Sequence, residues 1–151
     1  MAQQELLQVT PAGPPLLQRL PDWPRRLGAY FEAQRGQRFA WGISDCARFA
    51  AGAVQALTGR PVLPWAWADR ASAARVLRAC GGLVPAVGQV LPELAGPQWA
   101  QRGDVLLVQP AGQARRWLAV ADSGRWWAPG ATGMVSGPAA DAVRAWGVGH
   151  G

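Results

Sequence analysis

The sequence contains no lysine, one histidine and two cysteines, and these shortages exclude several kinds of site. Cys46, Cys80 and His150 cannot supply the four protein ligands of a closed zinc site, so we expect neither a metal nor another cofactor. A disulfide between the two cysteines is an alternative use of their thiols. A cytoplasmic origin argues against it, because thiols are kept reduced there.

Long hydrophobic runs are missing as well. No stretch approaches the ~18 apolar residues that a membrane-spanning helix needs. The first residues carry no positive cluster followed by an apolar segment, so we expect no secretory signal and synthesis in a cytoplasm. With 151 residues, half of them hydrophobic, the chain is long and apolar enough to form one globular domain.

Because lysine is absent, all 15 cationic side chains are arginines, and the formal net charge is +6. The arginines occur singly and in pairs, without a block of five or six and without alternating aromatic residues. One interpretation is a surface that binds nucleic acid or an anionic wall polymer, and the other is an ordinary solvated surface. We favour the solvated surface, with weak attraction to polyanions and no specific nucleic-acid site.

Residues 1–20 are interrupted by prolines and show the period of neither a helix nor a strand, which predicts an extended N-terminal arm. The arm either frays or docks on a neighbouring subunit. Its docking residues would be the leucines Leu6, Leu7, Leu16 and Leu17. A single domain is then expected over residues 21–151.

Within that domain the sequence predicts helices first and strands afterwards. Helices are expected over about 22–36, 44–59 and from 69 or 72 to 80, with Ser44 as the N-cap of the second and glycines at the ends. Short strands are expected at 105–108, 117–120, 125–127, 134–135 and 145–148, the second and third forming a hairpin. This order indicates an α+β domain with a largely antiparallel sheet.

Tryptophan is abundant, with nine residues. Trp41 and Trp117 either line a groove for a sugar or peptide or fill the core. We expect four others to be more exposed, namely Trp65, Trp67, Trp126 and Trp127.

Cys46 is the strongest candidate for a reactive residue, because it lies in the first turn of the second helix. Backbone N–H groups and the helix dipole can lower a thiol pKa there from ~8.5 to ~7 or below, which would make Cys46 a nucleophile. Alternatively, Cys46 is a small apolar residue that continues the core-facing stripe of the helix. Spacing alone leaves both interpretations open.

The segment Trp41-Gly42-Ile43-Ser44-Asp45-Cys46-Ala47-Arg48-Phe49 resembles the Gly-x-x-Asp-Cys-x-x-Phe segment of the NlpC/P60 peptidases. These papain-like enzymes cut peptide links in bacterial cell walls. The resemblance implies N-terminal helices packed on a small antiparallel sheet, with the cysteine at a helix N-terminus and Gly103-Asp104 before the next strand. The order of elements matches over roughly residues 22–148.

The sequence is still more similar to small NlpC/P60-like proteins encoded in phage tail and gene-transfer particle clusters. The shared features are a Trp-x-x-x-Leu helix at 23–27, the Trp-Gly-x-x-Asp-Cys segment, Leu-Thr-Gly at 57–59 and Ala-Trp at 145–146. This resemblance implies a protein made in a bacterial cytoplasm and assembled into a particle tail. Its partners would be other tail or tail-tip proteins and, as an alternative, peptidoglycan.

The sequence departs from the family at the catalytic histidine, where it has Trp117 or Arg116, neither of which can take a proton from a thiol. His150 in the glycine-rich tail is the only imidazole that could replace it, and Asp45 would support the start of the helix. Trp41, Trp117 and Arg116 are the residues expected to line the cleft around Cys46.

Three functions follow as hypotheses. The first is a tail assembly protein with a degenerate, inactive NlpC/P60 domain, towards which the missing histidine leads us. The second is an active cysteine peptidase or amidase that cleaves peptidoglycan peptides. The third is a non-catalytic binder of cell-wall polymers.

Overall fold

The computed structural model describes residues 14–150, which form four helices and five strands. The helices are α1 Trp23–Gln34, α2 Cys46–Thr58, α3 Arg70–Ala79 and α4 Leu83–Val90. The strands are β1 Val105–Val108, β2 Trp117–Asp122, β3 Arg125–Gly130, β4 Gly133–Pro138 and β5 Ala142–Trp146. Two short 3₁₀ turns occupy Pro97–Trp99 and Ala139–Asp141. In this part of the chain no helix is both long and apolar enough to cross a bilayer.

The five strands form one antiparallel sheet in the order β4-β3-β2-β1-β5. The prediction of an α+β fold with helices before an antiparallel sheet is therefore confirmed. The hairpin between β2 and β3 turns through Ser123 and Gly124, whose φ angles of 48° and 84° are both positive. Such a two-residue turn matches the twist of the flanking strands, and a glycine in it costs no strain.

The inner strand β1 is buried on both faces of the sheet, which explains its uninterrupted apolar sequence. Val105 and Leu107 pack towards the helices in a cluster that includes Leu27 of α1 and Val54 of α2. The alternate residues of β1 pack in a second cluster with β2, β3 and β5. The apolar stripe of α2 is the main cover of the first face.

The structure differs from the sequence-based expectations at three places. Helix α4 was not predicted. It begins directly after Gly81-Gly82, which were expected only to end α3, and Pro85 lies in its first turn, where proline is tolerated. Asp45, not Ser44, is the N-cap of α2. Trp67 and Trp126, expected to be exposed, are only 7% and 3% exposed, and each buried indole N–H has an aspartate as its acceptor.

The arm is described only from residue 14 onwards, so the predicted docking residues Leu6 and Leu7 lie outside the described residues. Leu16 is 95% exposed, whereas Leu17 packs against the helix-side cluster. The backbone N–H of Leu20 donates to the carbonyl of Leu57, and Arg19 is held by several carbonyl and carboxylate oxygens. Contacts with the domain therefore begin before residue 21, where the sequence suggested the boundary.

Candidate functional site

Cys46 lies at one end of the domain, as the first residue of α2, and is partly exposed. It packs beside the start of β2 and borders an open cleft of about 650 Å³. The cleft lies between the start of α2, the start of α3, the loop before β2 and the turn from β3 to β4. Its size is within the range of small-ligand sites.

Asp45 fixes the position of Cys46. Its side chain is 1% exposed and accepts hydrogen bonds from the backbone N–H groups of Gly42 (2.9 Å) and Arg48 (2.9 Å). The indole N–H of Trp67 donates a third bond, at 2.7 Å. The carboxylate thus caps α2 and connects it to the loop before α3, which makes Asp45 a positioning residue for the helix start.

Burial raises the pKa of the Cys46 thiol to about 11, and the negative charge of Asp45 adds to this effect. Backbone N–H groups, first that of Leu118, act in the opposite direction but do not offset burial. The direction is the reverse of what the helix N-terminus alone predicts, because the sequence did not show how closely the sulfur would be packed. At neutral pH the group is a protonated thiol.

Trp117 is the first residue of β2 and lies beside Cys46 in the cleft lining, where the resemblance places a histidine. Its ring meets that of Trp126 edge to face, with centroids 5.7 Å apart. An indole can donate a hydrogen bond through its N–H group but cannot accept a proton. Trp117 therefore provides an apolar wall at the point where a general base would be needed.

Of the two other residues predicted to line the cleft, Trp41 lines it and Arg116 does not. Trp41 lines the cleft, with its ring edge to face against Phe39 at 5.1 Å. Arg116 is exposed and donates to the side-chain oxygen of Gln109 at 3.0 Å, and its neighbour Arg115 lines the cleft instead. The prediction was displaced by one residue, because the loop before β2 has no period from which to infer direction.

Sequence reasoning also missed eight residues of the lining, which are Phe39, Arg70, Gln113, Arg115, Pro129, Gly130, Ala131 and Val135. They come from four separate segments of the chain, and no local pattern connects them. Among the residues 14–150 that line this cleft, none is a histidine, an aspartate or a glutamate. The polar side-chain groups of the lining are therefore two guanidinium groups, an amide, two indole N–H groups and a neutral thiol.

His150 lies at the opposite end of the domain from Cys46. Its Nε2 atom is 2.6 Å from a carboxylate oxygen of Asp104, which immediately precedes β1. Trp117, next to Cys46, pairs with Val108 at the other end of that strand. Leu57, in the last turn of α2, lies against Gly103, so the length of α2, about 18 Å, separates the two sites. The structure does not bring the candidate base and the candidate nucleophile together.

Asp104 is a fully buried carboxylate that connects the two termini of the domain. It accepts hydrogen bonds from the backbone N–H groups of Gln101 (2.7 Å) and Val148 (2.9 Å) and from the guanidinium of Arg19 (3.1 Å). His150 completes this set. These bonds hold the segments around Arg19 and around residues 148–150 against the start of β1, which is a structural role. Across residues 14–150, no three His, Cys, Asp or Glu side chains are grouped closely enough to hold a metal ion.

The helices packed on a five-stranded antiparallel sheet, with a cysteine at the start of one helix, give this chain an α+β fold similar to that of NlpC/P60 domains. The crystal structure of the NlpC/p60 domain of the peptidoglycan hydrolase SagA is similar to this chain, with a TM-score of 0.53 and 18% sequence identity. The similarity covers 82% of this chain and 97% of that chain, and at this identity it shows the fold.

The chain belongs to the family described as a domain of unknown function, DUF6950, whose sequence model matches residues 18–148. A search of the curated proteins found no match.

Proposed function

We propose that this chain is a catalytically inactive NlpC/P60-type domain that serves as a structural or assembly protein of a phage-like tail. The main support for inactivity is that Trp117 lies beside Cys46, in a cleft whose described lining has no group able to accept a proton. The tail context rests on the ordered set of motifs in the sequence.

Two chemical requirements of amide cleavage are unmet in the cleft. With a thiol pKa of about 11, about one Cys46 in 10⁴ is a thiolate at pH 7. Amide cleavage also needs a general acid for the leaving amine, and arginine and tryptophan do not exchange protons at neutral pH. The loss of one member of a catalytic set costs several orders of magnitude in rate elsewhere.

The test of inactivity uses purified peptidoglycan over pH 5–9, with the Cys46→Ala variant as the matched control. We expect the same absence of soluble peptide fragments from both proteins. A release of fragments that Cys46→Ala abolishes would overturn the proposal. Mass spectrometry of the supernatant identifies the bond if any is cut.

The assembly role is supported by the segment before α1, which carries Leu16 at 95% exposure next to the packed Leu17. An exposed leucine on a short extended segment is a suitable contact for a neighbouring subunit. We expect the chain to co-purify with tail-tip proteins of the same particle, and Leu16→Ser to weaken the complex. Purification as a monomer with no affinity for those proteins would contradict the assembly role.

A second candidate function is an active cysteine peptidase or amidase that acts on peptidoglycan peptides. The observation in its favour is that Cys46 remains the first residue of α2 and borders an open cleft in this fold. A partner protein would then have to supply the base. The digestion assay repeated with the co-purified tail proteins tests this candidate, and continued inactivity of the complex rules it out.

A third candidate is a non-catalytic binder of cell-wall polymers. It is favoured by the aromatic side chains Phe39, Trp41 and Trp117 and by the two arginines that line the cleft. Sedimentation with insoluble peptidoglycan tests it directly. If the protein remains in the supernatant, this candidate is excluded.

A further inference from the structure

The cleft beside Cys46 carries positive charge that no side chain of the described residues neutralises. Arg70, at the start of α3, and Arg115, before β2, both line it and are exposed. Within residues 14–150 neither guanidinium forms an ion pair, whereas six other arginines do. Asp69 is next to Arg70 in sequence, but its carboxylate caps α3 through Ser72.

Aromatic side chains share this lining with the two charges. Phe39, Trp41 and Trp117 all line the cleft, with the rings of Phe39 and Trp41 edge to face, and Cys46 borders it as well. The backbone of residues 129–131 contributes a further side with short side chains. A sphere with the cleft volume of about 650 Å³ would be about 11 Å across, which matches roughly three residues of extended peptide.

We propose that this cleft binds a short acidic peptide segment, with Arg70 and Arg115 as the residues that recognise its carboxylates. The apolar part of the segment lies against Trp41 and Trp117. This inference rests on the proposed function, because it treats the cleft as a binding site in which no reaction takes place. Guanidinium groups form charge-assisted hydrogen bonds with carboxylates, and aromatic walls add contact area at low entropic cost.

The proposal is tested by titration calorimetry at low salt with two peptides, acetyl-Ala-Glu-Ala-Glu-amide and acetyl-Ala-Gln-Ala-Gln-amide. We expect the glutamate peptide to bind at least fivefold more tightly. Arg70→Gln and Arg115→Gln should each weaken its binding about three- to fivefold, as for partly exposed ion pairs. Neither substitution should change the affinity for the glutamine peptide.

Matched controls separate a local effect from the overall positive charge. Arg75→Gln removes a cation from the same helix as Arg70, and Arg116→Gln removes the neighbour of Arg115, and neither residue lines the cleft. Both controls should bind the glutamate peptide like the unmodified protein. Circular dichroism melting curves check that all four variants are folded.

Several results would overturn the proposal. Equal affinity for the two peptides would remove the carboxylate preference, and an equal loss in Arg116→Gln would show that only net charge matters. If a phosphoserine version of the first peptide bound and the glutamate version did not, the carboxylate assignment would be wrong. None of these results depends on peptidoglycan digestion, so a failure here is distinguishable from a failure of the proposed inactivity.

Discussion

Alkylation of Cys46 measures how far the thiol differs from a poised nucleophile. The experiment uses the Cys80→Ala variant, so that Cys46 is the only thiol, and follows its reaction with iodoacetamide from pH 6 to pH 10. Only the thiolate reacts, so the rate reports the ionised fraction. A short cysteine peptide serves as the reference for an ordinary thiol.

The expected rate follows from the pKa. At pH 8 a thiol with the ordinary pKa of ~8.5 is about one-quarter ionised, whereas Cys46, at about 11, is about one-thousandth ionised. The roughly 250-fold smaller thiolate fraction is partly offset, because a thiolate more basic by about 2.5 pKa units is about 12-fold more nucleophilic. Cys46 should therefore react about 20-fold more slowly than the reference at pH 8, with a rate that still rises at pH 10.

A plateau of the rate near pH 7 would refute this reasoning. It would mean that the start of α2 stabilises the thiolate more than burial and Asp45 destabilise it. The peptidase hypothesis would then become the first to pursue. The double variant lacking both thiols provides the background, and circular dichroism at each pH confirms that the domain remains folded.

Three further predictions concern stability, measured as the free energy of unfolding in urea. Folding raises the Cys46 pKa, so the unfolded chain releases its proton above pH 9 while the folded chain retains it to about 11. The free energy of unfolding should therefore fall over that range by up to ~2.7 kcal/mol, and Cys46→Ala should lack this loss. Asp45→Ala removes a helix cap and leaves the buried Trp67 indole without an acceptor, so we expect a loss of about 2–4 kcal/mol. The exposed cap variant Asp69→Ala is the control, and an equal or larger loss in that variant would contradict the prediction. Arg19→Gln leaves the buried Asp104 charge without its guanidinium and should cost about 3 kcal/mol. The control Arg26→Gln removes an exposed ion pair and should cost under about 1 kcal/mol. Equal losses would show that the Arg19 contact is unimportant.

The fold was largely predictable because its strongest signals are local. Helix α2 was predicted from the helical spacing of Phe49, Ala53 and Leu57, and the buried strand β1 from the apolar run 105–108. The hairpin was predictable from Ser123-Gly124 between two apolar segments. Helix α4 was missed because its proline and the preceding glycines resemble loop signals, and only its packing on the core stabilises the helix.

The candidate site was predictable only in part. The sequence indicated Cys46 and Asp45 because they lie at the start of a helix that local patterns define, and the resemblance to the NlpC/P60 peptidases indicated Trp117. Arg70 and Arg115 were missed, since the loops that carry them have no periodic pattern from which to infer direction.

The sequence by itself determined that this chain forms helices followed by an antiparallel sheet, that a cysteine begins the second helix, and that its only histidine is at position 150. Only the tertiary structure decided which end of the domain His150 occupies, which arginines face the cleft and how strongly the thiol is desolvated. Local backbone and side-chain preferences act between neighbours in the chain, so a sequence displays them. Burial and charge environment are sums over atoms from distant segments, and these become neighbours only when the chain has folded.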